Sequence, residues 1–193
     1  MRFTTLVLSA AATLAALPSL ATASPLVAYA PQAAAGARPL GATQRLERHF
    51  LQIAAADLRF QSDASRLAQS RTNNPAVKDL ANTLLTRQQT AQPELMRLLH
   101  QRGMALPMPT NDHNKVLKQL AKLSGAKFDR LYVDEVVLRS YQADISNYEK
   151  VSAQSEDPVL KAWIERQLPT LRLHYAKAGK ALPSASLHGQ RAV

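Results

Sequence analysis

The chain contains no cysteine. That excludes disulfides, thiolate metal centres, cysteine nucleophiles and a lipid-modified cysteine, so packing alone must hold the fold together. Aromatic side chains are few, with four Phe, five Tyr and one Trp in 193 residues, and there are only six Gly. A β-sandwich draws on β-branched and aromatic strands joined by glycine-rich turns. A chain this rich in Leu and Ala reads as helical instead. The longest apolar run, Leu6 to Leu17, is shorter than the roughly 20 residues that a membrane-spanning helix needs. Acidic residues are the minority charge: 14 Asp and Glu stand against 24 Lys and Arg, for a net charge of +10.

Catalytic signatures are missing as well. There is no Gly-x-Ser-x-Gly, no glycine-rich phosphate loop and no His-Glu-x-x-His. The residues three positions before His49, His100, His113, His174 and His188 are Leu46, Arg97, Thr110, Leu171 and Ala185. A di-metal carboxylate centre in a helical bundle uses Glu-x-x-His, which places both ligands on one helix face. None exists here, so no metal or other cofactor is assigned, and the chain is read as a non-enzyme.

What is present begins with an export signal. Met1-Arg2 is a short positive start, Leu6 to Leu17 is the apolar run, and Ala21-Thr22-Ala23 is a small-x-small cleavage pattern. Cleavage is expected before Ser24, giving a signal peptide over 1–23; Ala28-Tyr29-Ala30 is a second site, disfavoured by Pro31. Arg2 is the only charge removed, so the net charge falls from +10 to +9. Residues 24–42, rich in Ala, Pro and Gly, read as a flexible leader, and 183–193 as a disordered tail. The expected location is the periplasm or, failing that, the medium. Nucleic acid is not an expected partner there. Anionic envelope components are, because a basic protein is attracted to polyanions.

Residues 43–182 read as one domain of long helices. Helix A, about Thr43 to Arg71 with Thr43 as cap, carries Leu46, Phe50, Ile53, Asp57, Phe60/Gln61, Ala64 and Leu67 at alternating spacings of four and three. Asn74-Pro75 ends one helix and starts helix B. Its stripe is Val77, Leu80/Ala81, Leu84, Gln88, Ala91, Leu95 and Leu98, and Gly103 is its stop. The loop from Gly103 to Asp112 is expected to cap an end of the domain. A short helix follows from Asp112 to Leu123. Helix C, about Ala126 to Gln154, has Phe128, Leu131/Tyr132, Leu138, Tyr141, Ile145 and Tyr148 on its apolar face. Asp157-Pro158 repeats the restart device and opens helix D, with Leu160, Trp163/Ile164, Leu171 and His174/Tyr175. Kinks are expected at Pro93 and Pro169. Two hairpins with apolar seams make an all-α, four-helix bundle, since each seam must be buried against another.

The segments Asn74-Pro75-x-Val77-Lys78, Phe128-Asp129-Arg130-x-Tyr132 and Leu168-Pro169-Thr170-Leu171-Arg172-x-His174 stand in an order and spacing that resemble the bacterial exported family called domain of unknown function 4142. The resemblance spans about Leu46 to Leu182. It implies a ferritin-like four-helix bundle, export, and no established activity. It also implies a Glu in the middle of the first helix, an Asp-His pair in the second and a His in the third. Here those positions read Gln61, Arg87-Gln88 and Ser140-Tyr141, while His174 is kept. Gln is a poor ligand for transition metals.

Five polar residues fall on the inward stripes: Asp57, Gln61, Gln88, Glu135 and His174. A hydrogen-bonded buried network is the expected arrangement. The alternative is a degenerate metal site of Asp57, Glu135 and His174. A further alternative is a carrier of small apolar ligands in a cavity opened at the proline kinks. The favoured reading is a non-enzymatic binding, structural or stress-related module of the envelope.

Overall fold

A computed structural model describes residues 39–182. The expected signal peptide, most of the leader and the expected tail lie outside these residues. Within them the chain is all-helical, with no strand. The elements are α1 (Ala42–Arg71), α2 (Pro75–Gln101), α3 (Asn111–Ala121), α4 (Gly125–Leu131), a π-helical stretch (Tyr132–Arg139), α5 (Ser140–Gln154) and α6 (Pro158–Ala181). No described helix is long and apolar enough to cross a membrane.

The helix ends follow local chemistry. Asn74 accepts from the Ala76 N–H at 3.0 Å, and Asp157 accepts from Val159 and Leu160 at 2.9 and 3.1 Å. Each precedes a proline that lacks the N–H a helix start leaves unpaired. Thr110 caps α3 through the His113 N–H at 3.1 Å, which starts it at Asn111 rather than Asp112. At α1 the cap is Gly41, not Thr43: Gln44 reaches back to the Gly41 N–H at 3.2 Å, and Thr43 lies in the first turn. Gly103, with φ +60°, donates to the His100 carbonyl, and the Met104 N–H donates to that of Leu99, both at 3.0 Å. This is a Schellman closure, and Met104 is buried beneath it. Pro93 and Pro169 lie inside helices that run on without a break.

The core lies between α1, α2, α5 and α6. α1 packs on α2 and α5, and α6 packs on α2 and α5. Phe50 of α1, Tyr148 of α5 and Trp163 of α6 meet edge-on or tilted, with ring centroids 4.8 to 6.3 Å apart. Such pairs add about 0.5–1.5 kcal/mol each beyond their burial. The short α3 lies against α1 and buries Leu120.

The expected helix C is not uniform. α4, the π-helical stretch and α5 run on from 125 to 154, but the middle has wider i to i+5 turns. Wider turns bring residues four and five apart onto one face. Tyr132, Val136, Val137 and Tyr141 are therefore all buried, with Val133 beside them. Leu138 and Ile145, expected on the apolar face, are turned to half-burial, and Asp144 is turned fully inward.

Candidate functional site

Asp57, Gln61 and Ser65 are four residues apart on α1, so they stack on one face. Gln61 is the hub. Its amide nitrogen donates to Ser140 Oγ and to Asp144 Oδ2, each at 2.8 Å, and its oxygen accepts from Arg87 Nη1 at 3.1 Å. Ser65 completes the face with a 2.8 Å bond to the Tyr132 hydroxyl. Three helices therefore meet at one side-chain amide, which can serve them all because it both donates and accepts.

Arg87 is the charge at the centre, only 5% exposed. Burial by itself pushes its pKa down, but Tyr148, Tyr141 and Asp144 reverse that, and the net shift is upward. Its guanidinium carbon lies 5.6 Å from the centroid of the Tyr141 ring, a cation–π geometry. Nε of Arg87 is buried with no partner among the protein atoms. The Asp144 carboxyl is held well above the usual range, first by burial and then by the neighbouring Asp57 carboxyl, while Arg87 pulls the other way. Burial pushes the Tyr141 hydroxyl up to about 12. Tyr132 and Tyr148 rise too, and all three stay neutral phenols. His174 Nδ1 lies 3.3 Å from the Tyr141 hydroxyl. Burial, then Arg87 and Lys177, lower its pKa to about 4, so its ring is neutral near pH 7.

The network reaches the surface at Asp57. His113 of α3 meets Asp57 Oδ1 through Nε2 at 3.1 Å and stacks on Phe60, with centroids 4.3 Å apart and planes 5° from parallel. Outside them is a cleft of about 490 Å³, lined by Asp57, Phe60, His113, Glu135 and Arg139 among others. Its carboxylates are largely satisfied from within the chain: Asp57 by His113, and Glu135 by Arg139 at 2.9 Å.

The model of a family described as a domain of unknown function, DUF4142, matches residues 30–181. This chain belongs to that family. No curated protein and no solved structure matches it. Membership settles the kinship that the proline-restart motifs pointed to, and it carries no activity with it.

Of the five polar residues expected to face inward, this member of the family brings three together: Asp57 and Gln61 in direct contact with the network's centre, and His174 at its far side. Gln88 is not among them. It bonds to Ser62, to Gln92 at 3.1 Å and to Arg66 at 3.4 Å, at the half-buried edge of the α1–α2 seam. The preceding residue, Arg87, takes the inward direction. Glu135 is also outside the network, since the π-turns leave it lining the cleft with Arg139. Asp57, Glu135 and His174 therefore do not converge. Among the described residues, no group of three or more His, Asp or Glu is placed to hold a metal ion.

Sequence reasoning missed Asp144 and His113, and named Arg87 and Ser140 only as departures from the family pattern. A signal for Asp144 was there: it is three residues after Tyr141 and four before Tyr148, on the face already read as inward. His113 carried no such signal, because its partners Asp57 and Phe60 lie more than fifty residues away in the chain.

Proposed function

We propose that this chain is an exported, non-enzymatic helical module of the bacterial cell envelope, acting in the periplasm by binding or organising anionic material. Its architecture is read as a ferritin-like four-helix bundle, with α1–α2 and the 125–154 helix with α6 as the two hairpins. Support for that reading is the closed ring of packing from α1 to α2, α6, α5 and back to α1. Export rests on residues 1–23, with their positive start, apolar run and small-residue cleavage pattern.

The observation that carries the proposal is the position of Arg87. In a bundle that works through its centre, the polar residues between the helices converge on a bound group. Here they converge on the chain's own guanidinium, bonded to Gln61 and facing Tyr141 and the Asp57–Asp144 pair. A second cation there would meet that fixed positive charge with few anionic groups to balance it. The working surface is then the outside, where most of the excess positive charge of the processed chain is displayed.

The test is binding by the purified, processed protein to anionic vesicles and to lipopolysaccharide, with elemental analysis of protein prepared without chelator. Binding at low salt that fades as salt rises is the expected result. Indifference to both materials at low salt would defeat the proposal. So would a stoichiometric metal that disappears in His174→Ala.

A further inference from the structure

Many of the cations on this protein are matched by nearby carboxylates. Arg59 and Arg66 share Asp63 at 3.8 and 2.8 Å, Arg166 meets Glu94 at 3.1 Å, and Arg172 meets Glu149 at 2.7 Å. The stretch from 115 to 130 gathers five of the cations that have no such partner. Lys115, Lys118, Lys122, Lys127 and Arg130 are all exposed, and none is in an ion pair among the described residues. The single acid within the stretch, Asp129, is buried; Asp112 lines one cleft with Lys115, and Asp134 and Glu135 line another with Lys127 and Arg130, which leaves Lys118 and Lys122 as the cations away from both clefts. Lys115, Lys118 and Lys122 are spaced three and four apart, so they form one stripe of α3, while Leu120 on the same helix is buried.

Immediately before α3 the loop presents apolar side chains to solvent. Met108 is 83% exposed and Leu106 is 50% exposed, although Met104 of the same loop is buried. Pro107 and Pro109 flank Met108 and restrict the backbone on either side, which lowers the entropy lost when the tip is fixed. The loop therefore does only part of what its sequence suggests. Met104 caps the domain, and Leu106 and Met108 are left uncovered.

Cations in a row beside exposed apolar side chains are what an anionic lipid surface recognises: the headgroup phosphates take the charges, and the acyl boundary takes the apolar tip. A soluble polyanion would use the charges and leave Met108 with no partner. We propose that loop 103–110 and α3, continued by Lys127 and Arg130, form a docking edge for anionic phospholipid, with Met108 entering the interface. This rests on the anionic-material reading above and assigns it to one edge and one class of partner.

The experiment is co-sedimentation of the processed protein with phosphatidylcholine vesicles, with and without phosphatidylglycerol, at low and high salt. The wild type is expected to bind only the anionic vesicles. Lys118→Glu/Lys122→Glu should bind at least about tenfold more weakly. Met108→Ser should bind about threefold more weakly, with the salt dependence unchanged. Lys150→Glu/Lys161→Glu makes the same charge change at exposed positions on α5 and α6, and it should stay within about twofold of wild type. All these side chains are exposed, so thermal melts check that the fold is intact. If the two charge-reversal variants weaken binding equally, net charge and not this edge does the binding; the inference falls and the broader proposal stands. If wild-type protein ignores the anionic vesicles at low salt, the inference falls as well, and binding to lipopolysaccharide then decides the broader proposal. If Met108→Ser binds like wild type and inorganic polyphosphate competes as well as vesicles do, the partner is a soluble polyanion and the lipid assignment is overturned.

Discussion

Two polar clusters tie the long helices together, and they rest on different physics. The central one joins Gln61, Arg87, Asp144 and Asp57 deep between α1, α2 and α5. The other lies at one end. There Glu47 of α1 accepts from Ser155 Oγ at 2.7 Å and from the N–H groups of Glu156 and Asp157 at 3.2 and 3.3 Å. Arg102 pairs with Asp157, and Arg48 donates to the Arg102 carbonyl at 2.6 Å. In the centre, charges are removed from water and depend on one another, so each is costly to leave alone. At the end, the buried Glu47 carboxylate satisfies donors that a helix start leaves unpaired, and those donors belong to half-buried or exposed residues. One cluster makes the interior specific, and the other fastens the start of α6 to the far ends of α1 and α2.

The largest expected effect separates the two clusters directly. Arg87→Ala removes the buried cation that faces Asp144 and should cost about 3–5 kcal/mol in chemical unfolding. A loss no larger than that of Glu47→Ala would erase the distinction between centre and end.

Acid tests the centre in a second way. The folded pKa of His174 is lowered from 6.5 to about 4, so folding favours the neutral ring. Its contribution is fully present above pH 6.5 and is lost as pH falls through that window towards 4. The window corresponds to at most about 3.5 kcal/mol, at roughly 1.4 kcal/mol per unit. His174→Asn should flatten that acid limb in urea titrations run across the window. Asp144 has the opposite sign, because its folded pKa is raised. Its stabilising influence is greatest below the ordinary carboxylate range and declines as pH rises towards the folded value. Asp144→Asn should therefore gain on wild type as pH rises, and an unchanged difference across pH would contradict a raised Asp144 carboxyl.

Glu47→Ala should cost about 1–2 kcal/mol, because its three donors lie near enough to the surface to recover part of their bonding from water. Thermal melts of this variant measure the end cluster alone. Asn74→Ala removes one cap bond at the start of α2 and should cost about 1 kcal/mol, with no effect on the His174 acid limb.

The helix ends were mostly legible from residue order, whereas Glu47, Arg48 and Arg102 of the end cluster were not. Asp157-Pro158 and Asn74-Pro75 announce helix starts, and Gly103 announces a stop, because these devices act within a few residues. The central cluster was legible in part. Gln61 and His174 were read inward, each beside a neighbour as alternative, and both are buried, whereas the stripe took Gln88 in place of the adjacent Arg87. Glu135 was misplaced for a different reason: the π-turns shift the register of everything after Tyr132, and no residue pattern in that stretch announces them.

The amino-acid sequence by itself determined that this protein is helical, where its helices begin and end, its kinship, and which chemistries it lacks. Those are properties of composition and of contacts a few residues apart. Only the tertiary structure decided that Arg87 faces inward and Gln88 lies at the seam edge, and that Asp144 is buried against Gln61. It also decided that the lysines of α3 stand unpaired beside an exposed Met108. Neighbouring residues on an α-helix differ by more than a quarter turn. Which of them is buried is set by the helices packed around them, not by the helix that carries them.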